Sequence, residues 1–456
     1  MPDLHELTLT QAVRLIRQRK LSPIELLEAS LARIDCFDGA IKAWAAVDRE
    51  GAMRAAAELD REARAGRLRG PLHGVPVGIK DIFYTEGIKT EAGSKVLAGF
   101  VPDYDAEAVA RLKRAGAIIL GKLATAEFAF ADAPATRNPW NVDHTPGGSS
   151  SGSAAAVAAR MCQAAIGSQT IGSVVRPASY CGIVGMKPTF GRISRYGMLP
   201  LAPSLDHVGI FARSTADAAL MLQAMAGGDS RDPASRAVAV GDYLSAASRP
   251  IARPRIAIMP KAFDDRADEQ TRTAVAEVVG KLAGAGAVIE AVEAPSTFSL
   301  VEANAMIEMG AEAASVHRER FAEKKDLYGP KLRAFLERSL NLPAWEYVRA
   351  LEVQRRFRDE IDRLLFRFDA ILTPATPAPA PAGIESTGDP SFNRPWSVSG
   401  HPVVSLPCAL APSGLPISIQ LIGATLEEGP LLNLARWCEE VLGFAARPAL
   451  SDTDTQ

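Results

Sequence analysis

Histidine and cysteine are scarce: 6 histidines and 5 cysteines occur in 456 residues. The cysteines (Cys36, Cys162, Cys181, Cys408, Cys438) are widely spaced, odd in number and without a C-x-x-C pair. That speaks against a disulfide framework and a zinc site, and they read as reduced core residues of a cytoplasmic protein. His5, His73, His144, His207, His317 and His401 show no metal-ligand spacing, so neither a metal nor a cofactor is expected. Excess charge of either sign is also missing. A formal net charge of -2 gives nothing to draw the chain to nucleic acid or an anionic membrane. No stretch approaches about 18 consecutive apolar residues, and Met1 to Leu7 lacks a basic-then-apolar pattern, so no spanning helix and no export signal is expected. A small, neutral or modestly charged ligand suits such a chain.

What is present is a soluble globular composition, 47% hydrophobic and 23% charged, long enough for one large α/β domain or several smaller ones. Residues 1–62 read as helical. Ser22-Pro23-Ile24-Glu25 combines an N-cap serine, a proline at the first helical position and a capping-box glutamate. Ile24, Leu27, Leu31 and Ile34 then form one apolar face, expected to pack on the main body or on the partner in a homodimer. From about residue 70, short apolar runs bounded by glycine or proline alternate with amphipathic segments: Val75 to Lys80, Ala106 to Ala115, Ala117 to Leu120. The pattern recurs at Arg255 to Met259, Ala370 to Leu372, Val403 to Leu406 and Ile417 to Ile422, as α/β alternation with strands buried on both faces. Residues 374–395, rich in Pro, Ala and Gly, read as a surface loop rather than a linker.

Around Gly147-Gly148-Ser149-Ser150-Ser151-Gly152-Ser153 the chain crowds hydroxyls and glycines against the helix-forming run Ala154 to Ala159. The spacing nearly spells a phosphate loop, but its lysine is missing, which argues against nucleotide binding. A second turn, Gln169-Thr170-Ile171-Gly172-Ser173, follows the strand-like Ala164-Ala165-Ile166. Successive amides in such a turn converge on one point, which is what an oxyanion needs, with a serine beside it. Lys80 ends an otherwise apolar strand, and desolvation there lowers an amine's pKa and makes it a candidate base.

These elements occur together, and with Cys181 to Thr189, Ser204 to Gly209, Gly400-His401-Pro402 and Gly414-Leu415-Pro416 they resemble the amidase signature family over practically the whole chain, least clearly in 230–345. The resemblance implies a single large α/β/α domain, 1–456, with a mixed central β-sheet flanked by helices. The helical region 1–62 packs on it, and 230–345 is a variable segment shaping the substrate pocket. It also implies Ser173 as nucleophile, Ser149 as the bridging serine beside a cis peptide bond, and Lys80 as base. The amides of Thr170, Ile171, Gly172 and Ser173 form the oxyanion hole. Free lysine titrates near ~10.4, so serving as a base near neutrality needs a shift of about 3 units, roughly 4 kcal/mol. Burial with good hydrogen bonding has to supply it, and a nearby Arg or Lys would add to it.

Three departures mark this chain. Gln169 stands where many members have aspartate, and β-branched Ile171 stands where they have glycine, which is strongly disfavoured if that position needs positive φ. Val175 replaces an arginine, and Arg176 follows one place later. This Ser-x-x-Arg-Pro loop resembles malonamidase-type members, in which the arginine receives a substrate carboxylate; a structural role for Arg176 stays open. The leading expectation is an amidase hydrolysing a small, carboxylate-bearing carboxamide. The alternative is the glutaminase component, the A subunit, of a tRNA-dependent amidotransferase, which Gly191 to Gly197 resembles. A catalytically inactive binding protein on the same fold is the third reading.

Overall fold

The apolar runs become strands of one sheet. A computed structural model describes residues 3–450, and within them lies an 11-stranded mixed sheet. The strands are β1 (Trp44–Val47), β2 (Pro76–Lys80), β3 (Ile118–Leu123), β4 (Ala164–Gln169), β5 (Val184–Lys187) and β6 (His207–Ala212), then β7 (Arg255–Ile258), β8 (Val288–Ala291), β9 (Ala370–Pro374), β10 (Val403–Leu410) and β11 (Pro416–Ile422). Their spatial order is β1-β3-β2-β4-β6-β5-β10-β11-β9-β7-β8. The first six strands therefore fill one half of the sheet and the last five the other. The halves meet where β5 pairs antiparallel with β10, Met186 opposite Val404. β2, β4, β5, β6, β9 and β11 are buried along their whole length, so burial on both faces, rather than apolar alternation, marks them.

Helices cover both faces in a single α/β domain. Pro23–Ile41 starts as its sequence requires: the Ser22 hydroxyl accepts from the Ile24 amide, and the Ser22 amide donates to Glu25 Oε2 at 2.8 Å. Leu27, Leu31 and Ile34 are spent within the chain, in a core shared with the helix Arg49–Arg64 and the alanine-rich helix Ser151–Ala158. Residues 1–62 are not wholly helical. After Lys42 turns left-handed at φ 55, Asp38 Oδ1 accepts from the amides of Ala43 and Trp44, and the chain leaves as edge strand β1, antiparallel to β3. So short and partly exposed a strand carries no periodic signal. The segment 230–345 contributes β7 and β8 to the sheet edge, along with the helices Phe298–Lys324 and Pro330–Ser339, each of which sends a side chain to the cavity beside Ser173.

Candidate active site

Lys80 is the last residue of β2, a strand held in parallel register with β4 by Ile79 opposite Ile166. That register sets Lys80 beside Gly167 and Ser168. The side chain is fully buried, and its amine nitrogen donates to Ser149 Oγ at 2.9 Å and to Ser168 Oγ at 2.8 Å. Burial pushes the lysine pKa well below 10.5. Among the described residues no Arg or Lys adds to burial in causing that shift. The charge that acts is Asp206, which opposes the shift and whose own carboxyl burial raises to about 6. Asp206 is committed to the Thr170 hydroxyl and the amides of Leu201 and Ala202.

Each serine of the glycine-serine run has its own task. Ser149 follows a cis Gly148–Ser149 peptide and faces Lys80. The Ser150 hydroxyl donates to the Ser168 carbonyl and accepts from its amide; Ser151 Oγ donates to the Gly147 carbonyl at 2.7 Å, and Ser153 Oγ to the Ile166 carbonyl at 3.0 Å. The hydroxyls strap the loop to itself and to β4 rather than capping the helix that follows. Two glycines are required by space. Gly147 has φ +78, and a Cβ there would meet Pro177 Cα at 2.8 Å; at Gly152 it would meet the Ala43 carbonyl oxygen at 2.2 Å.

Ser173 closes the turn between β4 and the helix Val175–Tyr180. Gln169 holds that turn: its Oε1 accepts from the amides of Val174 (2.9 Å) and Val175 (3.0 Å), and its Nε2 donates to Ser397 Oγ at 3.0 Å. An amide thus does here by neutral hydrogen bonds what a carboxylate would do by charge. Ile171 does not adopt positive φ, so its β-branch imposes no left-handed strain. Among the described residues the amides of Ile171, Gly172 and Ser173 donate to no protein acceptor, which leaves them open to a ligand oxygen. No hydrogen bond joins Ser173 to Ser149 among the described residues, and contacts of this kind commonly tighten when substrate binds.

Ser173 opens onto a cavity of about 260 Å³, lined also by Phe130, Ile171, Met306, Met309, Thr387, Arg176, Lys331 and Arg394. Among the described residues three cations and no carboxylate line it. Arg176 is buried, and its Nη2 donates to the Gly148 carbonyl at 2.5 Å and to Thr387 Oγ1 at 3.3 Å. Its Nε has no partner among the described residues, and burial lowers the guanidinium pKa to about 10. No histidine lines the cavity, and no cluster of His, Cys, Asp or Glu suited to a metal occurs among the described residues. Sequence reasoning passed over Ser168, signalled only by a hydroxyl at the end of an apolar strand. It also missed Lys331, Arg394 and the two methionines, which reach the cavity from segments distant in the chain.

Known proteins resemble this chain along its whole length. Residues 25–432 match the family model described as Amidase. The A subunit of the glutamyl-tRNA(Gln) amidotransferase of Carboxydothermus hydrogenoformans is 36% identical, covering 98% of this chain and 100% of its own. Native peptide amidase from Stenotrophomonas maltophilia superposes with a TM-score of 0.84 at 32% identity, covering 97% of this chain and 98% of that one. A structure described as a vestigial protein complex revealing the origins of an s-triazine catabolic enzyme reaches 0.91 at 32% identity, covering 97% of this chain and 100% of that one. The Carboxydothermus, Geobacter and Anaeromyxobacter relatives are all amidotransferase A subunits, which does not support the likeness to malonamidase-type members drawn from the Ser-x-x-Arg-Pro loop.

Proposed function

The chain belongs to the amidase signature family, a hydrolase of amide C–N bonds, and from that premise we propose that it releases ammonia from a small carboxamide carrying a free carboxylate. The observation that carries this reading is the cavity beside Ser173, lined by three cations and no acid. Arg176 has an unmet buried N–H there and forms no ion pair among the described residues, so it suits an incoming carboxylate.

Neutral Lys80 takes the proton of Ser149 as Ser149 takes that of Ser173, and Ser173 Oγ bonds to the amide carbon. The resulting oxyanion lies against the amides of the Thr170–Ser173 turn. When the C–N bond breaks, the relay returns the proton to nitrogen and ammonia leaves. Water then adds to the acyl-serine by the same relay, releasing the acid and restoring Ser173.

The second reading is the glutaminase component of an amidotransferase complex. Sequence likeness favours it over the first, since the amidotransferase relatives match along their full length. The cavity favours the first, because glutamine brings an α-ammonium for which the lining offers no carboxylate. Ammonia release from succinamate, butyramide and glutamine by the purified chain separates them. Succinamate preferred over butyramide supports the first reading. Glutamine turned over only with co-purifying subunits supports the second.

A further inference from the structure

Arg394 lines the Ser173 cavity from the start of the helix Arg394–Val398, and its side chain is only 9% exposed. Its Nη1 lies 2.7 Å from Glu302 Oε1, while its Nε is buried without a partner, like that of Arg176. Burial is the main cause of the lowered Arg176 pKa; Tyr180 and Asp389 oppose it, and the charge of Arg394 adds a smaller push in the same direction as burial. Like charges sharing a desolvated space, each with an unmet N–H, cost free energy until an anion joins them. Glu302 is a weak resident for that purpose. It is 57% exposed, lies in an adjoining cavity with Ser391 and Arg266, and is also 3.5 Å from the Arg266 guanidinium.

We propose that Arg394 determines specificity: with Arg176 it forms a two-guanidinium clamp on the free carboxylate of a dicarboxylic monoamide, and Glu302 holds Arg394 until that substrate arrives. The proposal rests on the reading of the site as an amidase for carboxylated amides. Each guanidinium supplies N–H donors to one carboxylate, Arg176 from the segment after Ser173 and Arg394 from the start of the helix Arg394–Val398. A carboxylate fixed at both oxygens sets how far the scissile carbonyl reaches toward Ser173. In a cavity of about 260 Å³ this selects short-chain monoamides.

The test is kcat and KM for succinamate and butyramide in the wild-type chain and in the Arg394→Met, Arg394→Lys and Glu302→Gln variants. Arg394→Met raises the succinamate KM by about tenfold more than the butyramide KM, with kcat changed far less. Arg394→Lys, which keeps charge but loses the fork, falls between and carries the test if the methionine variant does not fold. Glu302→Gln lowers the succinamate KM, because Arg394 loses its competitor. A purely structural ion pair would instead make the Arg394 and Glu302 variants worse together for both amides, and that result overturns the clamp. So does a succinamate preference that survives in both Arg394 variants. A wild-type chain indifferent to the carboxylate sinks the underlying reading instead.

Discussion

Lys80 donates to Ser168 at 2.8 Å, a bond as short as the one at 2.9 Å that it makes to Ser149. A neutral amine has two N–H donors and one lone pair. Spending one donor on Ser168 fixes where the amine sits, so that when the contact with Ser149 reverses and its hydroxyl donates, the lone pair accepts with the nitrogen already in place. Ser168→Ala is therefore expected to lower kcat by about 10- to 100-fold, the cost of one unmet buried partner, with KM little changed. Steady-state ammonia release checks this, and a loss confined to KM would remove Ser168 from the account.

Ser173 is expected to carry the covalent intermediate. A fluorophosphonate should label one tryptic peptide, the one containing Ser173, and Ser173→Ala should abolish the label while the thermal transition persists. Lys80→Ala and Ser149→Ala should each slow labelling by about 1000-fold or more, and combining them should cost little beyond either alone, as for residues acting as one unit. Mass spectrometry reads the site directly; an adduct on another serine would reassign the nucleophile.

The sign of the Lys80 effect on stability is fixed by its lowered pKa. Between the folded pKa and the unfolded value near 10.5 the unfolded chain binds a proton that the folded chain does not, so stability rises with pH across that window. Lys80→Met lacks this term. Its stability relative to wild type should be most favourable at low pH and decline as pH approaches the unfolded value. Urea unfolding of both proteins from about pH 6 to about pH 10 measures the difference; parallel curves would mean that the amine is charged in the fold.

Gln169 joins two amides of the nucleophile turn to Ser397. Gln169→Ala leaves these buried groups unmatched and should destabilise the chain by about 1–3 kcal/mol per unmet group. Because the same turn presents the amides of Ile171 to Ser173, kcat should fall as well. Denaturant melts and kcat together test this, and a stable variant with full kcat would show that the turn holds itself.

Ile171 faces the cavity without backbone strain. Ile171→Gly should therefore leave the oxyanion amides in place and widen the cavity, raising relative kcat/KM for bulkier acyl groups. A uniform loss across acyl groups would mean that the side chain positions the turn.

What could be read in the sequence was local. Lys80 at the end of an apolar strand and the crowded hydroxyls of Gly147 to Ser153 stand out within a few residues, and β2 and the start of β4 appear as short apolar runs. What could not be read is assembled across distance. Arg394 and Lys331 meet Ser173 only after the chain has folded back, and nothing in their own neighbourhoods distinguishes them from surface cations. The malonamidase likeness rested on the five-residue Ser-x-x-Arg-Pro loop, whereas similarity summed over the whole chain extends to amidotransferase A subunits and to a peptide amidase.

The seam between β5 and β10 has a consequence for synthesis. One edge of β5 pairs antiparallel with β6, but its other edge finds a partner only at 403–405, so a nascent or truncated chain ending short of that point leaves that edge bare. Such an edge recruits whatever strand is nearest, including the same segment of another ribosome's product. Fragments ending before β10 are thus prone to self-association, and dissection of this protein into a working N-terminal piece is closed by its own topology.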